Sequence, residues 1–288
     1  MKQILSLLGI VGLIIGIFML HGGRLGALIR ISEIILIFGV AILGLIVSSK
    51  ISTIKIMIVQ LKMNFGKSKY TKEYYNDLLS LMFELITIAK VQNIKALDAH
   101  VESPESSSIF VKYPVILGDQ ETISFIVDAF RLVISSKLPA HDIEMLLEEE
   151  IELLKEEFEK PSMKLHTMAE AMPGIGILAA VMGIILTMQN LDADVGIIGQ
   201  SIAAALVGTF TGIFGCYCLF GPLSSAIHDV AEDQIAPLHC VRSVISAYCQ
   251  NLTAHLCVNA GRKHIESSIK PSFIELEDTV NNLRTSST

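Results

Sequence analysis

The chain lacks tryptophan, and aromatic residues are only 6% of its 288. The Trp belt that marks many membrane interfaces is therefore missing. Tyr70, Tyr74 and Tyr75 lie too far from any apolar run to replace it. Charge is also scarce: 18% of residues are Asp, Glu, Lys or Arg, against 51% hydrophobic. That balance excludes an ordinary soluble domain. The net charge of −7 removes the basic footprint that nucleic-acid binding needs. The five cysteines form no CxxC pair, and Cys216-Tyr-Cys218 sits inside an apolar run. Reduced thiols fit this pattern, whereas a metal finger or disulfide framework does not. No Walker loop, HExxH or nucleophile elbow occurs. Gly174-Ile-Gly176 resembles part of a dinucleotide loop, but it follows no strand pattern and opens an apolar helix. The chain therefore reads as a non-enzyme, with no metal site and no cofactor.

What is present is four apolar runs, Ile4–Leu20, Ile34–Val47, Pro173–Met188 and Ile197–Leu223. They are paired two and two around a long polar insert. A spanning helix needs about 17–25 mostly apolar residues. The first two runs reach that length only with their flanks. Ile4–Leu20 follows Lys2 as a signal peptide would, yet no small-x-small cleavage site follows it. It reads as a retained helix. The expected fold is all-α: a polytopic membrane protein with four transmembrane helices and a helical cytoplasmic domain. Its expected parts are residues 1–49 (first two spans), 50–171 (cytoplasmic domain), 172–226 (last two spans) and 227–288 (cytoplasmic tail). Neither of the last two runs holds Asp or Glu. If an ion crosses here, a partner must supply the titrating carboxylate.

Positive charge orients the spans. Lys50, Lys55, Lys62, Lys67, Lys69 and Lys72 follow the second run, whereas the Leu191–Gly196 link holds Asp192 and Asp194 and no Lys or Arg. Both termini and the insert are therefore expected in the cytoplasm. Periodicity predicts helices over Lys72–Ile94, Glu121–Ser135 and Asp142–Glu159, with Ser162–Ala171 feeding the third span. The run Glu148-Glu149-Glu150 reads as a solvated face. The fourth span is expected to continue past Pro222 to about Ala260, kinked at Pro237. The closing Thr-Ser-Ser-Thr is expected to be disordered.

Small residues four apart (Gly12 and Gly16; Gly176 and Ala180; Ala179 and Gly183; Ala204, Gly208 and Gly212) permit close helix approach. The approach is either within one subunit or to a partner or pore. Thr187, Thr209 and Thr211 either bond the carbonyl one turn back or line a hydrated path. Glu33, the one acid beside a span, suits an interfacial position. Pro173 reads as an ordinary first-turn proline. Pro222 reads as a kink, and so a hinge, in a helix that continues. Lys90, Lys95 and Asp98, with Glu84 one face away, form a mixed-charge patch that is either solvated or a docking surface.

These residues resemble the MotA family, the ion-channel subunits of the bacterial flagellar stator (MotA/PomA, distantly like ExbB/TolQ). The resemblance covers nearly the whole chain. It rests on His21–Leu28, Ser68–Lys72, Ile126–Leu132, Pro173–Gly183, Ala205–Gly212, Pro222-Leu223 and Arg262–Glu277. It implies four spans in the inner membrane and assembly with MotB, a single-span peptidoglycan-binding subunit carrying a membrane aspartate. Five copies would surround two partner chains. Ion passage would turn the ring and drive the rotor protein FliG. Pro173 and Pro222 fall on the family's hinge prolines, and Thr209 on its ion-path threonine. Lys90 and Asp98 fall on rotor-facing charges, with Lys90 replacing an arginine and so losing its planar fork. Asp128 and Glu150 match further charged positions of the torque domain. Sodium-type relatives have threonine where this chain has Ala180, which favours protons over sodium. One departure is Ile31, where close relatives often carry proline before Glu33.

Three competing readings follow from the same residues, one of them a pure membrane scaffold that passes no ion with any partner. An ExbB/TolQ-type energiser of outer-membrane transport would have three spans with its insert after the first. A small-solute transporter would bury polar groups at mid-membrane, and these spans offer little beyond threonines.

Overall fold

The computed structural model describes residues 2–136, 138–189 and 195–286. Among them there is helix and turn but no strand, as an all-α fold requires. Ten longer helices are named here: α1 (Lys2–Leu20), α2 (Ile31–Ser48), α3 (Ile51–Phe65), α4 (Lys72–Gln92), α5 (Gln120–Ser135), α6 (Ala140–Met188), α7 (Val195–Phe214), α8 (Gly221–Cys249), α9 (Ala254–Arg262) and α10 (Phe273–Ser286). Asp192 and Asp194, on which the orientation argument leaned, lie outside the described residues, as do residues 287–288.

Among the described residues, three helical stretches are long and apolar enough to cross a membrane: Leu25–Ser48, which contains α2, Ala140–Met188 (α6), and Ile198–Cys249, which runs from α7 into α8. Leu5–Leu20 is apolar but shorter. The chain divides into two compact units, Met1–Lys67 with Glu157–Ala231, and Ser68–Glu156 with Glu232–Thr288.

In the first unit, α1 stops because Gly22 takes φ +82°. Gly22 N–H donates to Met19 O at 2.9 Å and Gly23 N–H to Phe18 O at 3.0 Å, the paired bonds of a Schellman cap. The core holds Ile37 and Ala41 of α2, Met57 of α3, Leu165, Met168, Ala169, Met172 and Ala179 of α6, Cys216 and Ile227. The buried face of α3 is largely polar: Thr53, Met57, Gln60 and Asn64. Gln60 Nε2 donates to Phe158 O at 2.9 Å. The opposite face of α3 exposes Ile51, Lys55, Ile58, Val59, Lys62 and Phe65. Ile31 opens α2. A proline there would occupy the first helical position, where its missing N–H costs nothing.

In the second unit, Thr71 Oγ1 caps α4 by accepting from Tyr74 N at 3.3 Å. The core joins Tyr74, Tyr75, Leu78, Leu79, Leu81, Met82, Leu85 and Ile86 of α4 to Phe125, Ile126 and Phe130 of α5 and to Val241, Val244 and Ile245 of α8. Helices α9 and α10 both pack on α4. At Gly261 a Cβ would come 2.8 Å from Cys240 O, so α9 lies directly against the α8 backbone. Ser272 and Glu275 form a reciprocal cap for α10. Ser272 N–H donates to Glu275 Oε2 at 2.7 Å and Glu275 N–H to Ser272 Oγ at 3.2 Å. Lys72 Nζ reaches Glu275 Oε1 at 2.7 Å.

Several boundaries differ from those the pattern predicts. α6 runs unbroken from Ala140 to Met188 with Pro161 and Pro173 inside it. Pro173 is thus an interior proline, not a first-turn one. α8 ends at Cys249 rather than near Ala260. Asn251 takes φ +63° there, with Leu252 N–H on Ala247 O and Asn251 N–H on Tyr248 O. That is a second Schellman cap, built on asparagine instead of glycine. α10 takes in Thr285 and Ser286, half of the tail expected to be disordered. Glu148-Glu149-Glu150 is not one solvated face. Glu148 ion-pairs with Arg242, and Glu150 is half-buried.

Candidate functional site

Two small-residue stripes meet within the chain. A Cβ at Gly176 would lie 2.8 Å from Gly208 O, 3.2 Å from Gly212 Cα and 3.3 Å from Thr209 Cα. At Gly212 it would come within 2.5 Å of Met172 O and 3.0 Å of Gly176 Cα. Further along, Gly208 faces Ala179 Cβ at 3.3 Å and Gly183 faces Ala205 Cβ at 3.3 Å. The register falls on α7 as it rises on α6, so the helices are antiparallel and touch backbone to backbone. Gly12 and Gly16 of α1 meet nothing within 4 Å. The α6–α7 stripes are therefore used for packing inside one chain, while that of α1 is not.

This seam gathers two of the three residues expected on an ion path. Thr209 is half-buried and abuts Gly176. Ala180 is half-buried, with its backbone nitrogen 3.6 Å from the Cβ position of Gly208. Thr187 stands about two turns further along α6. It is buried, and its hydroxyl donates to Gly183 O at 2.8 Å, the back-bond that needs no hydrated path. The seam carries no carboxylate, since residues 173–188 and 197–223 contain none. Glu33 is half-buried at the start of α2, accepting from Ser32 Oγ at 2.5 Å.

The two prolines lie towards the Met172–Gly212 end of the seam, Pro173 inside α6 and Pro222 in the first turn of α8, in different settings. Pro173 is one residue beyond Met172, whose carbonyl closes on Gly212. Pro222 follows a π-helical turn, Gly215–Phe220, in which Gly221 N–H bonds Cys216 O five residues back. Widening the helix by one residue accommodates a position that has no N–H to give. Gly221 is required there, because a Cβ would lie 2.7 Å from Cys216 O.

The charged residues are in the second unit. Lys90, Lys95 and Asp98 are exposed. Lys90 lies near the end of α4, its ammonium 5.3 Å from the Tyr248 ring centroid. Asp98 opens a short helix, Asp98–Glu102, beyond the turn at Asn93. Asn93 takes φ +82° and ψ +149°, a conformation that glycine alone adopts readily. Glu84 is withdrawn from this patch. It binds Lys112 Nζ at 2.6 Å and accepts from Tyr113 Oη at 2.7 Å. Asp128 faces Arg131 at 3.6 Å. Burial, and then the nearby Asp128 carboxylate, raise the Glu150 carboxyl above the usual range.

Sequence reasoning missed three polar clusters here. Asp119 is fully buried and receives Lys69 at 2.9 Å, Tyr74 Oη at 2.7 Å and Thr122 Oγ1 at 3.1 Å. Arg242 pairs with Glu148. His239 and His264 stack with centroids 6.3 Å apart. Each joins residues far apart in sequence, so no local spacing could have signalled it.

Comparison with known proteins agrees with this architecture. Residues 4–93 match the motility protein A N-terminal family, and residues 119–239 the MotA/TolQ/ExbB proton channel family. The chain is 42% identical to chemotaxis protein LafT of Vibrio parahaemolyticus, covering 96% of this chain and 97% of that protein. It is 36% identical to motility protein A of Salmonella typhimurium, covering 99% and 96%. Among solved structures, C. jejuni MotAB matches with TM-score 0.72 at 20% identity, covering 92% of this chain and 96% of that one. The flagellar MotAB stator complex of Bacillus subtilis matches with TM-score 0.65 at 20% identity, covering 89% and 92%. With helices closing on each other through glycine and relatives matched end to end, this chain belongs to the motility protein A family.

Proposed function

We propose that the chain is the ion-channel and torque-generating subunit of a flagellar stator, working with a MotB-type single-span partner. The observation that carries this is the whole-length relationship to motility proteins, combined with two packed spans that contain no acid. A channel built from these helices needs its titrating carboxylate from another chain. The coupling ion is the proton. Ala180 offers no oxygen to replace a sodium ion's water, and Thr209 and Thr187 are the only hydroxyl-bearing residues assigned to the path.

In this reading four spans cross the inner membrane, with Leu5–Leu20 as the shortest, and both termini are cytoplasmic. Five copies surround two partner chains. Proton transfer to the partner's aspartate turns the ring, with Pro173 and Pro222 as the points where the helices flex. Lys90 and Asp98 present opposite charges to the rotor protein FliG, while Asp128 and Glu150 shape the field of the same domain.

Charge reversal tests the rotor assignment. Cells carrying Lys90→Glu together with Asp98→Lys are expected to build flagella, insert the stator and swim poorly. A compensating reversal on the rotor protein is expected to restore swimming. Full swimming by the double reversal alone would remove these two residues from the rotor contact.

A further inference from the structure

A cavity of about 450 Å³ opens in the first unit, within the ~300–1,000 Å³ range of small-molecule pockets. Its apolar wall includes Leu7 and Ile10 of α1, Phe65 of α3, and Phe220 and Leu223 around the π turn. Pro222 is part of that wall. Asn64 and Asp229 also line the cavity, and Asp229 is exposed. Lys62 is exposed one turn before Phe65, on the same face of α3.

We infer that this cavity is a phospholipid site, holding one acyl chain against the Pro222 wall with a phosphate-and-ammonium headgroup at the rim. The wall is apolar, and it is built from helices of the membrane-type unit, where acyl chains are the solvent. The lining carries an exposed carboxylate at Asp229, and Lys62 is exposed on α3 one turn from the lining residue Phe65, so a zwitterionic head would meet Asp229 with its primary ammonium and Lys62 with its phosphate. The exposed face of α3 continues the match. Ile51, Ile58 and Val59 alternate with Lys55 and Lys62 on it, as on a helix lying in the headgroup layer. An occupant here would stiffen the helix on both sides of Pro222. The lipid thus becomes a component of the hinge and not only its surroundings.

The absence of tryptophan from the chain supplies the test. Phe65→Trp, or Leu219→Trp as a second reporter in the same wall, creates a single fluorophore in the full-length protein reconstituted into vesicles. Leu43→Trp, on an exposed part of α2, reports bulk lipid. Phosphatidylethanolamine brominated on its acyl chains, at low mole fraction in phosphatidylcholine, is expected to quench the wall reporter several-fold more than the Leu43→Trp reporter. Brominated phosphatidylcholine in the same background is expected to quench the two alike. Asp229→Asn is expected to abolish the headgroup preference. Equal quenching of wall and bulk reporters by both lipids would overturn the site. So would a wall reporter that neither lipid quenches, which would mean that a second copy of the chain covers the cavity.

Discussion

At the scale of single residues, Asp119 is the group most exposed to loss. Its side chain is fully buried among Lys69, Tyr74 and Thr122. Removing one member of a buried, hydrogen-bonded charge pair costs roughly 3–5 kcal/mol. Lys69 is 34% exposed, so water recovers part of that, and Asp119→Ala should sit near the lower end. A clear fall in Tm of the full chain in detergent is expected, with Asp119→Asn in between because it keeps acceptor oxygen for Tyr74 and Thr122. The His239–His264 stack makes a second prediction. Burial lowers the affinity of both rings for a proton; Lys155 opposes protonation of His239 while Glu152 favours it, and Arg242, His239 and Lys270 add to the lowering at His264. An unfolded histidine takes its proton near pH 6.5, above either folded value, so the unfolded state holds more protons just below that pH. Stability should therefore fall as pH drops through about 6.5, and His239→Gln should flatten the fall. Parallel Tm-versus-pH curves for the two proteins would show that the stack does not contribute.

None of these residue-level clusters was legible beforehand. Asp119 stands 50 positions from Lys69, and nothing in its immediate neighbours marks it as buried. Glu84 illustrates the reverse error. Its spacing from Lys90 suggested a shared surface, but Lys112 and Tyr113 turn it inward.

At the scale of helices, the sequence was more informative where local chemistry decides. The small-residue spacing of Pro173–Gly183 and Ala205–Gly212 anticipated close helix approach while leaving open whether it was within one chain, which is where the contact lies. The end of α8 was missed because an asparagine, Asn251, takes the role usually given to glycine. The length of α6 was missed because proline normally argues for a boundary, and here two prolines lie inside. The seam can be tested against the unpacked stripe of α1. Gly212→Ala would force a methyl to 2.5 Å from Met172 O, an overpacking that costs about 1–3 kcal/mol. Gly12→Ala meets nothing within 4 Å. The first variant should lose Tm and the second keep or raise it, since alanine favours helix over glycine. Equal effects would mean that the α6–α7 contact is looser than the geometry describes.

At the scale of the whole molecule, the account joins a matched family, an acid-free pair of packed spans and a separate helical unit bearing exposed opposite charges. The fold class was legible because hydrophobic runs and helical periodicity are written locally. The assignment to this family was legible because several motifs occur in order along nearly the full chain. Assembly was not legible from physics, since an apolar helix face suited to a partner helix looks the same in sequence as one suited to lipid. The most direct measurement is swimming of a strain deleted for this chain, with flagella counted by microscopy and the deletion complemented by wild type or by Pro173→Ala. The account predicts flagellated, non-swimming deletion cells that wild type rescues and Pro173→Ala does not. A deletion strain that swims normally, or that lacks flagella altogether, would contradict it.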